Sequence, residues 1–433
     1  MAPRPESPAA GAGPSPPGAP AGYTSIDEED LTLEHVFVLF RHGDRSPISR
    51  KVSSKVAITQ RETDFWVSRL AELSVVGALN SGTRVVGHHT GECGERCFSQ
   101  QFDVPPPPQQ GGRWPCGQLT AKGIAMMRDK GQQLRERYKL LLEDVDPVHH
   151  VHVQSTNIRR TIRSAQCVLV GLFPEHFVNV DADNQMGANE TLLPDSRRFL
   201  SHVHKDRRGK KDDVLVIHAD DSNSLAPQHS YELYRDLGKM LAGELRQHAP
   251  PGFAEASQRI SGIIGAGSSK LVAWTGLREV LICREAHGLD FPEGLDQQLF
   301  AQICDYDAWL WHHLYGNMDF CRASFRAGVQ RIYSYLTSVA EGQTEHKLSL
   351  FSAHDNSLVA LVNALQLQVP RVIPPYGAML TFELFRHRVT GEVYLRALFE
   401  GVEAAFVGHE HLALCPFNVF QQAAQSFLQG GAL

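Results

Sequence analysis

The sequence has few cysteines, no long hydrophobic run and no excess of positive charge. It contains 8 cysteines among 433 residues, too few for a scaffold held together by disulfides. No segment approaches the run of about 18 apolar residues that crosses a bilayer, so we expect no membrane span in this chain. The formal net charge of −6 argues against a nucleic-acid partner, because such partners call for a surplus of basic residues. With 42% hydrophobic residues, the chain can build an ordinary core.

The N-terminal segment lacks the features of a targeting signal. Residues 2–22 consist mostly of Pro, Ala and Gly and contain neither the basic nor the apolar region of a signal peptide. Such a composition buries too little apolar area to offset the entropy of ordering, so residues 1–30 are predicted to be a disordered tail. Asn189 starts the one N-glycosylation sequon and favours a secretory route. The protein is therefore either cytoplasmic or part of a longer chain with a targeting segment before Met1.

Three predicted strands each end at a polar or charged turn. The strands are the apolar segments His35–Phe40 and Leu348–Phe351 and the alternating segment Val148–Val153. The turns that follow them are, in the same order, Arg41-His42-Gly43-Asp44-Arg45, Ser352-Ala353-His354-Asp355 and Gln154-Ser155-Thr156-Asn157. Side chains that cap helices occur at Ser155–Asn157 and Asp355–Ser357, so a helix is predicted after each of these two turns.

The repeated order of strand, polar turn and helix predicts the fold class. It indicates an α/β fold with a doubly wound, mostly parallel sheet and helices on both faces. A further helix is predicted in Gln118–Leu142, where Thr120 offers an N-cap and apolar residues recur at helical spacing. Because ligands bind beyond the carboxyl ends of the strands in such sheets, we expect the three charged turns to meet at one edge.

Four side chains near these turns suit the binding of a phosphate group. The planar guanidinium groups of Arg41, Arg45 and Arg160 match the geometry of phosphate oxygens. His354 can donate a further hydrogen bond to the same oxygens. Several cations around a transferring phosphoryl group provide electrostatic stabilisation, which is usually the largest contribution to such catalysis.

Two further residues carry the chemistry expected of a phosphoryl transfer. His42 follows the first strand on a sharp turn, where the backbone can hold one ring nitrogen while the other attacks phosphorus. The alkoxide that leaves needs a proton, and Asp355 is the candidate donor. The same carboxylate can afterwards activate the water that hydrolyses the phosphohistidine.

The segment Arg41–Pro47, RHGDRSP, resembles the RHGxRxP signature of the histidine acid phosphatases, a branch of the phosphoglycerate-mutase-like superfamily. Ser155–Thr161 and the pair His354-Asp355 are similar to further motifs of that family. The resemblance implies a phosphoric monoester hydrolase that needs no metal and no cofactor. The resemblance implies that His42 is the nucleophile and that Asp355 is the proton donor. It also implies a phosphate pocket formed by Arg41, Arg45, Arg160 and His354. Gln154 departs from the family, because many members have an arginine at this position.

Three segments resemble the 2-phosphoxylose phosphatase branch of this family. They are His35-Val36-Phe37, Trp114–Thr120 and the C-terminal pattern Gly401-Val402, Phe406 and Cys415-Pro416. This resemblance implies a glycan substrate, 2-phosphoxylose in the linkage region between glycosaminoglycans and proteins, and a place in the Golgi or the secretory pathway. The lysophosphatidic acid phosphatase branch is the alternative, since it shares the Gly-Gln-Leu-Thr and Ser-Thr-Asn segments.

The resemblance also implies a division of the chain. Residues 31–175 and 346–433 are predicted to form the α/β catalytic domain. Residues 176–345 match the family weakly and are predicted to be a smaller, mainly helical cap inserted into that domain. Specificity for the natural substrate is expected to lie in this cap.

Two interpretations of a different class remain. A catalytically silent relative would bind phosphorylated partners through the same arginines, although it would not need Asp355. A metalloenzyme would use histidines of the segment His149-His150-Val151-His152. In a strand, however, His150 and His152 share a face while His149 points away, so further ligands would have to come from elsewhere.

Overall fold

The computed structural model describes most of the chain. Its described residues are 30–88, 101–102, 111–177, 214–220, 222–230, 232–233, 243, 247–265 and 274–430. The predicted disordered tail, apart from Asp30, and the sequon at Asn189 lie outside these ranges. None of the described helices is long and apolar enough to cross a bilayer.

One sheet forms the centre of the described structure. Its strands are β1 (Leu31–Arg41), β2 (Thr83–His88), β3 (Gln101–Phe102), β4 (Val151–Thr156), β5 (Leu215–Asp220), β6 (Leu348–Ala353), β7 (Met379–His387), β8 (Val393–Phe399), β9 (Val402–Glu403) and β10 (Cys415–Pro416). Their order is β10-β8-β7-β1-β6-β4-β5-β2-β3, and β9 pairs with β8. The strands β1, β6, β4, β5 and β2 are parallel, whereas β7 pairs with β1 in the antiparallel direction. The predicted α/β fold with a mostly parallel central sheet is confirmed.

Helices flank this sheet. In the described part of the chain they are α1 (Gln60–Arg69), α2 (Leu73–Ser81), α3 (Ala121–Arg137), α4 (Lys139–Leu142), α5 (Pro147–His150), α6 (Arg159–Leu172), α7 (Pro174–Phe177), α8 (Phe253–Ile264), α9 (Trp274–Ala286), α10 (Gln297–Gly316), α11 (Met318–Ala340), α12 (Asp355–Ala364) and α13 (Phe417–Gln429). The helices α3 and α6 cover one face, and α11, α12 and α13 cover the other. Both faces of the sheet therefore carry helices, as predicted.

The burial of β1 on both faces explains why residues 36–40 are all apolar. Val36, Val38 and Phe40 pack into the core under α3 and α6, whereas Phe37 and Leu39 pack into the core on the opposite face. Successive side chains of a strand point to opposite faces, so a strand covered on both sides needs apolar residues at every position. All five of these side chains are fully buried.

The range predicted as a cap, residues 176–345, contributes to two different cores. Its strand β5 lies in the central sheet between β4 and β2, and its helix α11 packs on that sheet. The helices α8, α9 and α10 form a separate hydrophobic cluster around residues such as Ile260, Leu277 and Ile303. The division of the chain into a catalytic domain and a cap stays a prediction.

The prediction of a strand over Val148–Val153 is wrong in its first half. Asp146 accepts a hydrogen bond from the backbone N–H of Val148, and Pro147 occupies the first position of the helical turn α5. Proline at that position is already set to the helical φ angle. His149 and His150 therefore lie in α5, and only His152 lies in β4, so the predicted shared strand face of His150 and His152 does not form.

The two predicted helix caps also differ from the structure. Ser155 and Thr156 pair within the sheet, so β4 continues to Thr156 and α6 begins only at Arg159. At the other turn, His354 is the N-cap and Asp355 is already the first helical residue. The prediction for α3 is confirmed at its start, where Thr120 Oγ1 accepts a hydrogen bond from the Gly123 N–H at 3.0 Å.

Candidate active site

The three polar or charged turns lie side by side at one edge of the sheet. The strands β1, β6 and β4 are neighbours and parallel, so their carboxyl ends meet there. The backbone N–H of His42 donates to the Ala353 carbonyl at 3.1 Å, and His354 Nε2 lies 3.1 Å from Thr156 Oγ1. The rings of His42 and His354 lie edge to face, with their centroids 5.6 Å apart and an interplanar angle of 71°. Residues from distant parts of the chain thus form one cluster, as expected for ligand sites of such sheets.

The turn after β1 is pressed against α3 and α6. The Gly43 N–H donates to Ser164 Oγ at 3.1 Å, and the Thr120 N–H donates to the Asp44 carbonyl at 3.1 Å. A Cβ atom on Gly43 would lie 2.7 Å from the carbonyl oxygen of Gly123. Only glycine therefore fits between the turn and the first turn of α3, and this close approach holds the neighbouring His42 in place.

The hydrogen bond of His42 determines which ring nitrogen can react. His42 Nδ1 lies 2.9 Å from the carbonyl oxygen of Gly43, which can only accept a hydrogen bond. Nδ1 therefore carries the proton, and in the neutral imidazole Nε2 has a free lone pair. Burial lowers the pKa of His42 well below its usual value, and the charges of Arg160 and Arg45 lower it further. The ring is thus neutral in mildly acidic solution.

Two of the arginines are paired with carboxylates. Arg41, the last residue of β1, places an Nη atom 3.0 Å from Asp355 Oδ2, and its guanidinium lies 4.2 Å from the centre of the Tyr376 ring. Arg45 donates to Glu279 Oε1 and to the Ser46 carbonyl. The side chains of Arg41 and Arg45 are almost fully buried. Each arginine also has a buried Nε–H without a hydrogen-bond partner among the described residues.

Arg160 has no such carboxylate within the described part of the chain. It lies in the first turn of α6, is buried, and donates to the Gly111 carbonyl at 3.3 Å. Burial and the neighbouring charge of Arg45 lower its pKa to about 9, so the folded protein crowds positive charge at this point. An anion such as phosphate would relieve this crowding, because it brings the missing negative charge.

His354 and Asp355 lie at the start of α12, opposite the arginines. The backbone N–H of His354 donates to Ser357 Oγ at 3.3 Å, and burial followed by the charge of Arg160 lowers the pKa of its ring well below the usual value. The side chain of Asp355 is 24% exposed, so a ligand can reach it. Burial alone would raise the pKa of Asp355, but Arg41 and Arg278 outweigh it and hold that pKa below its usual value. The carboxyl is therefore ionised in the free protein.

The sequence did not predict three residues at this site. Arg278 and Glu279 of α9 contact Asp355 and Arg45, and Tyr376 lies with its ring centre 5.7 Å from that of His42. A signal for the first two is the segment Leu277-Arg278-Glu279-Val280, in which charged residues interrupt an apolar helix. Buried charges of this kind are normally paired with charges elsewhere in the fold. Tyr376 follows two prolines and precedes Gly377, whose N–H donates to the His42 carbonyl at 3.1 Å.

Two other residues singled out from the sequence lie apart from this cluster of contacts. Gln154 is buried in β4, and its Nε2 has no hydrogen-bond partner among the described residues. His152 stacks between His218 and Tyr335, with ring centroids 5.0 Å from each. Within the described ranges, no group of three or more His, Cys, Asp or Glu side chains has the arrangement of a metal site.

Comparison with known proteins identifies the family. The sequence profile described as Histidine phosphatase superfamily (branch 2) matches residues 32–258. The chain belongs to this family. Among related sequences, lysophosphatidic acid phosphatase type 6 from Bos taurus is 26% identical over 417 residues, which cover 93% of this chain and 85% of that protein. Testicular acid phosphatase from Homo sapiens is 28% identical over 283 residues, which cover 63% of this chain and 61% of that protein.

Solved structures share the fold of this histidine phosphatase. The apo form of Hafnia alvei phytase superposes with a TM-score of 0.55 and covers 95% of this chain and 98% of its own. The sequence identity is 14%, so this likeness concerns the fold alone. Its family and its acid phosphatase relatives make the protein a phosphoric monoester hydrolase.

Proposed function

We propose that this histidine phosphatase hydrolyses its phosphate monoester through a phosphohistidine on His42. The observation that carries the proposal is the bond from His42 Nδ1 to the Gly43 carbonyl, which leaves Nε2 as a nucleophile beside the arginines. In the first step Nε2 attacks phosphorus and the bond from phosphorus to the ester oxygen breaks. In the second step water attacks phosphorus, and the bond from phosphorus to nitrogen breaks.

The phosphate pocket consists of Arg41, Arg45, Arg160 and His354. The Nε–H groups of the three arginines have no hydrogen-bond partner in the described part of the chain, so they supply donors that are already buried and fixed. Donors that are in place before the reaction stabilise the charge on the transferring phosphoryl oxygens without reorganisation. Arg160 contributes most to the attraction of an anion, because it has no carboxylate partner among the described residues.

Asp355 supplies the proton for the leaving alkoxide and takes one from the attacking water. The free enzyme holds this carboxyl ionised through Arg41 and Arg278. A bound phosphate brings negative charge beside Asp355 and engages Arg41, and both effects raise the pKa of the carboxyl. Asp355 therefore gains its proton when the substrate binds, donates it as the phosphorus–oxygen bond breaks, and recovers it from water in the second step.

The proposed natural substrate is 2-phosphoxylose in the linkage region between glycosaminoglycans and proteins. The segments His35-Val36-Phe37, Trp114–Thr120 and Gly401–Pro416 support this choice through their resemblance to the phosphoxylose branch, which also implies the Golgi. The described side chains beside the arginines agree with it, since Glu279, Asp355 and Tyr376 are polar. The hydroxyl groups of a sugar can bond with such groups, whereas an acyl chain gains nothing from them.

A lysophosphatidate is the second candidate substrate. The lysophosphatidic acid phosphatase from Bos taurus matches 93% of this chain, so the match extends into the range proposed as the cap. The two candidates differ only in the leaving group, so the roles of His42 and Asp355 are the same for both. We propose that residues 176–345 select between them, with α9 as the wall of the cap that faces the phosphate.

The test is phosphate release from a 2-phosphoxyloside and from a lysophosphatidate, with His42→Ala as the blank and His346→Ala as the control. His346 lies before β6, at the sheet edge opposite the pocket, so its removal leaves turnover intact. We expect release from the xyloside that disappears in His42→Ala only. Faster release from the lysophosphatidate than from the xyloside would instead support the lysophosphatidate as the natural substrate. Binding of both substrates without release would instead support a silent phosphate-binding protein.

A further inference from the structure

Arg278 of α9 bridges two carboxylates from different helices. Its Nε donates to Asp307 Oδ2 in α10, and one of its Nη atoms lies 3.3 Å from Asp355 Oδ2 in α12. The side chain of Arg278 is 3% exposed and that of Asp307 is fully buried. A guanidinium between two carboxylates is fixed in direction, because its donors form a rigid planar fork.

The contact with Asp307 is itself supported from both helices. Thr275 Oγ1 of α9 donates to Asp307 Oδ1 at 2.7 Å. Trp311 Nε1 of α10 in turn donates to Thr275 Oγ1 at 2.9 Å. Arg278 is therefore held by the packing of α9 on α10, independently of whether a phosphate occupies the pocket.

Arg278 differs in this respect from the other cation on Asp355. Arg41 contacts the same carboxylate oxygen at 3.0 Å, but it also belongs to the proposed phosphate pocket and turns part of its charge to the substrate. Arg278 is fixed by its hydrogen bond to Asp307, so it keeps its contact with Asp355 when a phosphate binds. Among the described residues, six charged or titratable groups act on Asp355. They are Arg41 of β1, Arg45 of the turn after β1, Arg160 of α6, Arg278 of α9, Asp307 of α10 and His354 at the N-cap of α12.

We infer that Arg278 is a positioning residue that orients Asp355 and decides up to which pH this carboxyl keeps the proton needed by the leaving group. The inference rests on the proposed function of Asp355 as the proton donor. A nearby cation favours the ionised form of a carboxyl, so the removal of Arg278 lets Asp355 hold its proton to higher pH. The alkaline limb of kcat reports the loss of this proton in the enzyme–substrate complex. That limb is therefore expected to move to higher pH.

The experiment measures kcat against pH for Arg278→Gln with two substrates, an alkyl phosphate and p-nitrophenyl phosphate. We expect the alkaline limb for the alkyl phosphate to move up by about one pH unit, since one opposite charge shifts a carboxyl by about 1 to 3 units. The limb for the nitrophenyl ester stays in place, because its leaving group needs no proton. The double variant Arg278→Gln/Asp307→Asn repeats the measurement without leaving Asp307 as an unpaired buried charge.

Arg284→Gln is the matched control. Arg284 lies on the same helix and is also buried, but it pairs with Glu62 at 2.7 Å instead of a residue of the pocket. Its removal leaves both limbs unchanged. A fall of kcat at every pH without a shift, in both the single and the double variant, would overturn the role of Arg278. A wild-type enzyme that releases no phosphate would instead contradict the proposed function itself, so the two failures are distinguishable.

Discussion

The carboxylate of Asp355 lies 3.0 Å from the guanidinium of Arg41, and this ion pair joins the start of α12 to the end of β1. This pair bears on the proposed role of Asp355 as proton donor, because an ionised carboxylate has no proton to donate. In the proposed mechanism, the bound phosphate competes for Arg41 before Asp355 is protonated. Under this proposal the charge of the substrate, and not the free enzyme alone, brings Asp355 into its protonated form.

The first prediction concerns the leaving group. Asp355→Asn removes the proposed proton donor but keeps the shape of the side chain and its place at the start of α12. Turnover of alkyl phosphates is expected to fall by about 10²- to 10⁴-fold, the usual contribution of general acid catalysis. Activated aryl phosphates should lose less than about tenfold, since their leaving groups depart without a proton. Steady-state kcat values for both ester types test this, and equal losses would contradict the role of Asp355.

The second prediction concerns the buried charge of Arg160. Arg160→Met removes a buried guanidinium whose one hydrogen-bond partner among the described residues is the Gly111 carbonyl. We expect the inhibition constant for inorganic phosphate to rise by about 10- to 100-fold, as for the loss of a charged hydrogen bond. Arg163→Met is the control, because Arg163 is buried on the same helix but the neighbouring groups that act on its charge are Cys167 and Arg159, which are not in the proposed phosphate pocket. An unchanged inhibition constant in Arg160→Met would remove Arg160 from the pocket.

The position of the site was predictable from the sequence, and the reason is geometric. The turns at Arg41 and His354 follow apolar strands, and parallel strands bring their carboxyl ends to one edge wherever the strands occur in the chain. The burial of β1 on both faces was equally readable, because the consecutive residues Val36 and Phe37 are both apolar. These features depend only on local composition and on the alternation of strand side chains.

The contacts from α9 could not be predicted in the same way. Arg278 contacts Asp355, and Glu279 contacts Arg45, only because tertiary packing brings distant segments together. The local sequence around α9 does not indicate which residues these partners are. The prediction that Thr156 belongs to a helix cap was wrong for a related reason. Thr156 pairs with β5, so it is part of the sheet and is not a helix cap. The helical turn α5 is different, because Asp146-Pro147 is a recognisable helix start that the alternation of the following residues obscured.

The third prediction concerns stability in acid. His35 is fully buried beside Tyr335, and burial lowers its pKa to about 4. The unfolded chain takes up this proton near pH 6.5, so the free energy of unfolding falls as the pH drops from about 6.5 to about 4. The contribution of His35 is about 3 kcal/mol over this interval. This contribution to the free energy of unfolding is complete above about pH 6.5 and lost below about pH 4.

Urea unfolding of His35→Asn across this pH interval tests the assignment. Asparagine keeps a donor for the His346 carbonyl, which His35 Nδ1 contacts at 2.9 Å, but it does not titrate. The variant should therefore show a shallower loss of stability with falling pH. His411→Asn changes an exposed histidine and should leave the slope as in the wild type. Equal slopes for His35→Asn and the wild type would exclude His35 as the source.

The fourth prediction compares two helical glycines. A Cβ atom on Gly123 in α3 would lie 2.1 Å from the Asp44 carbonyl oxygen, whereas one on Gly262 in α8 would meet nothing within 4 Å. Gly123→Ala must therefore push the turn that carries His42 away from α3. We expect it to lower the free energy of unfolding by about 1 to 3 kcal/mol and to reduce turnover as well.

Gly262→Ala is the matched control for this change. Alanine is favoured over glycine inside a helix, so this variant is expected to gain about 0.5 to 1 kcal/mol with unchanged turnover. Chemical denaturation and phosphate release, measured on both variants, separate the effect of helix propensity from that of the clash. If Gly123→Ala kept full turnover and wild-type stability, the tight contact between α3 and the turn would not be what holds His42 in position.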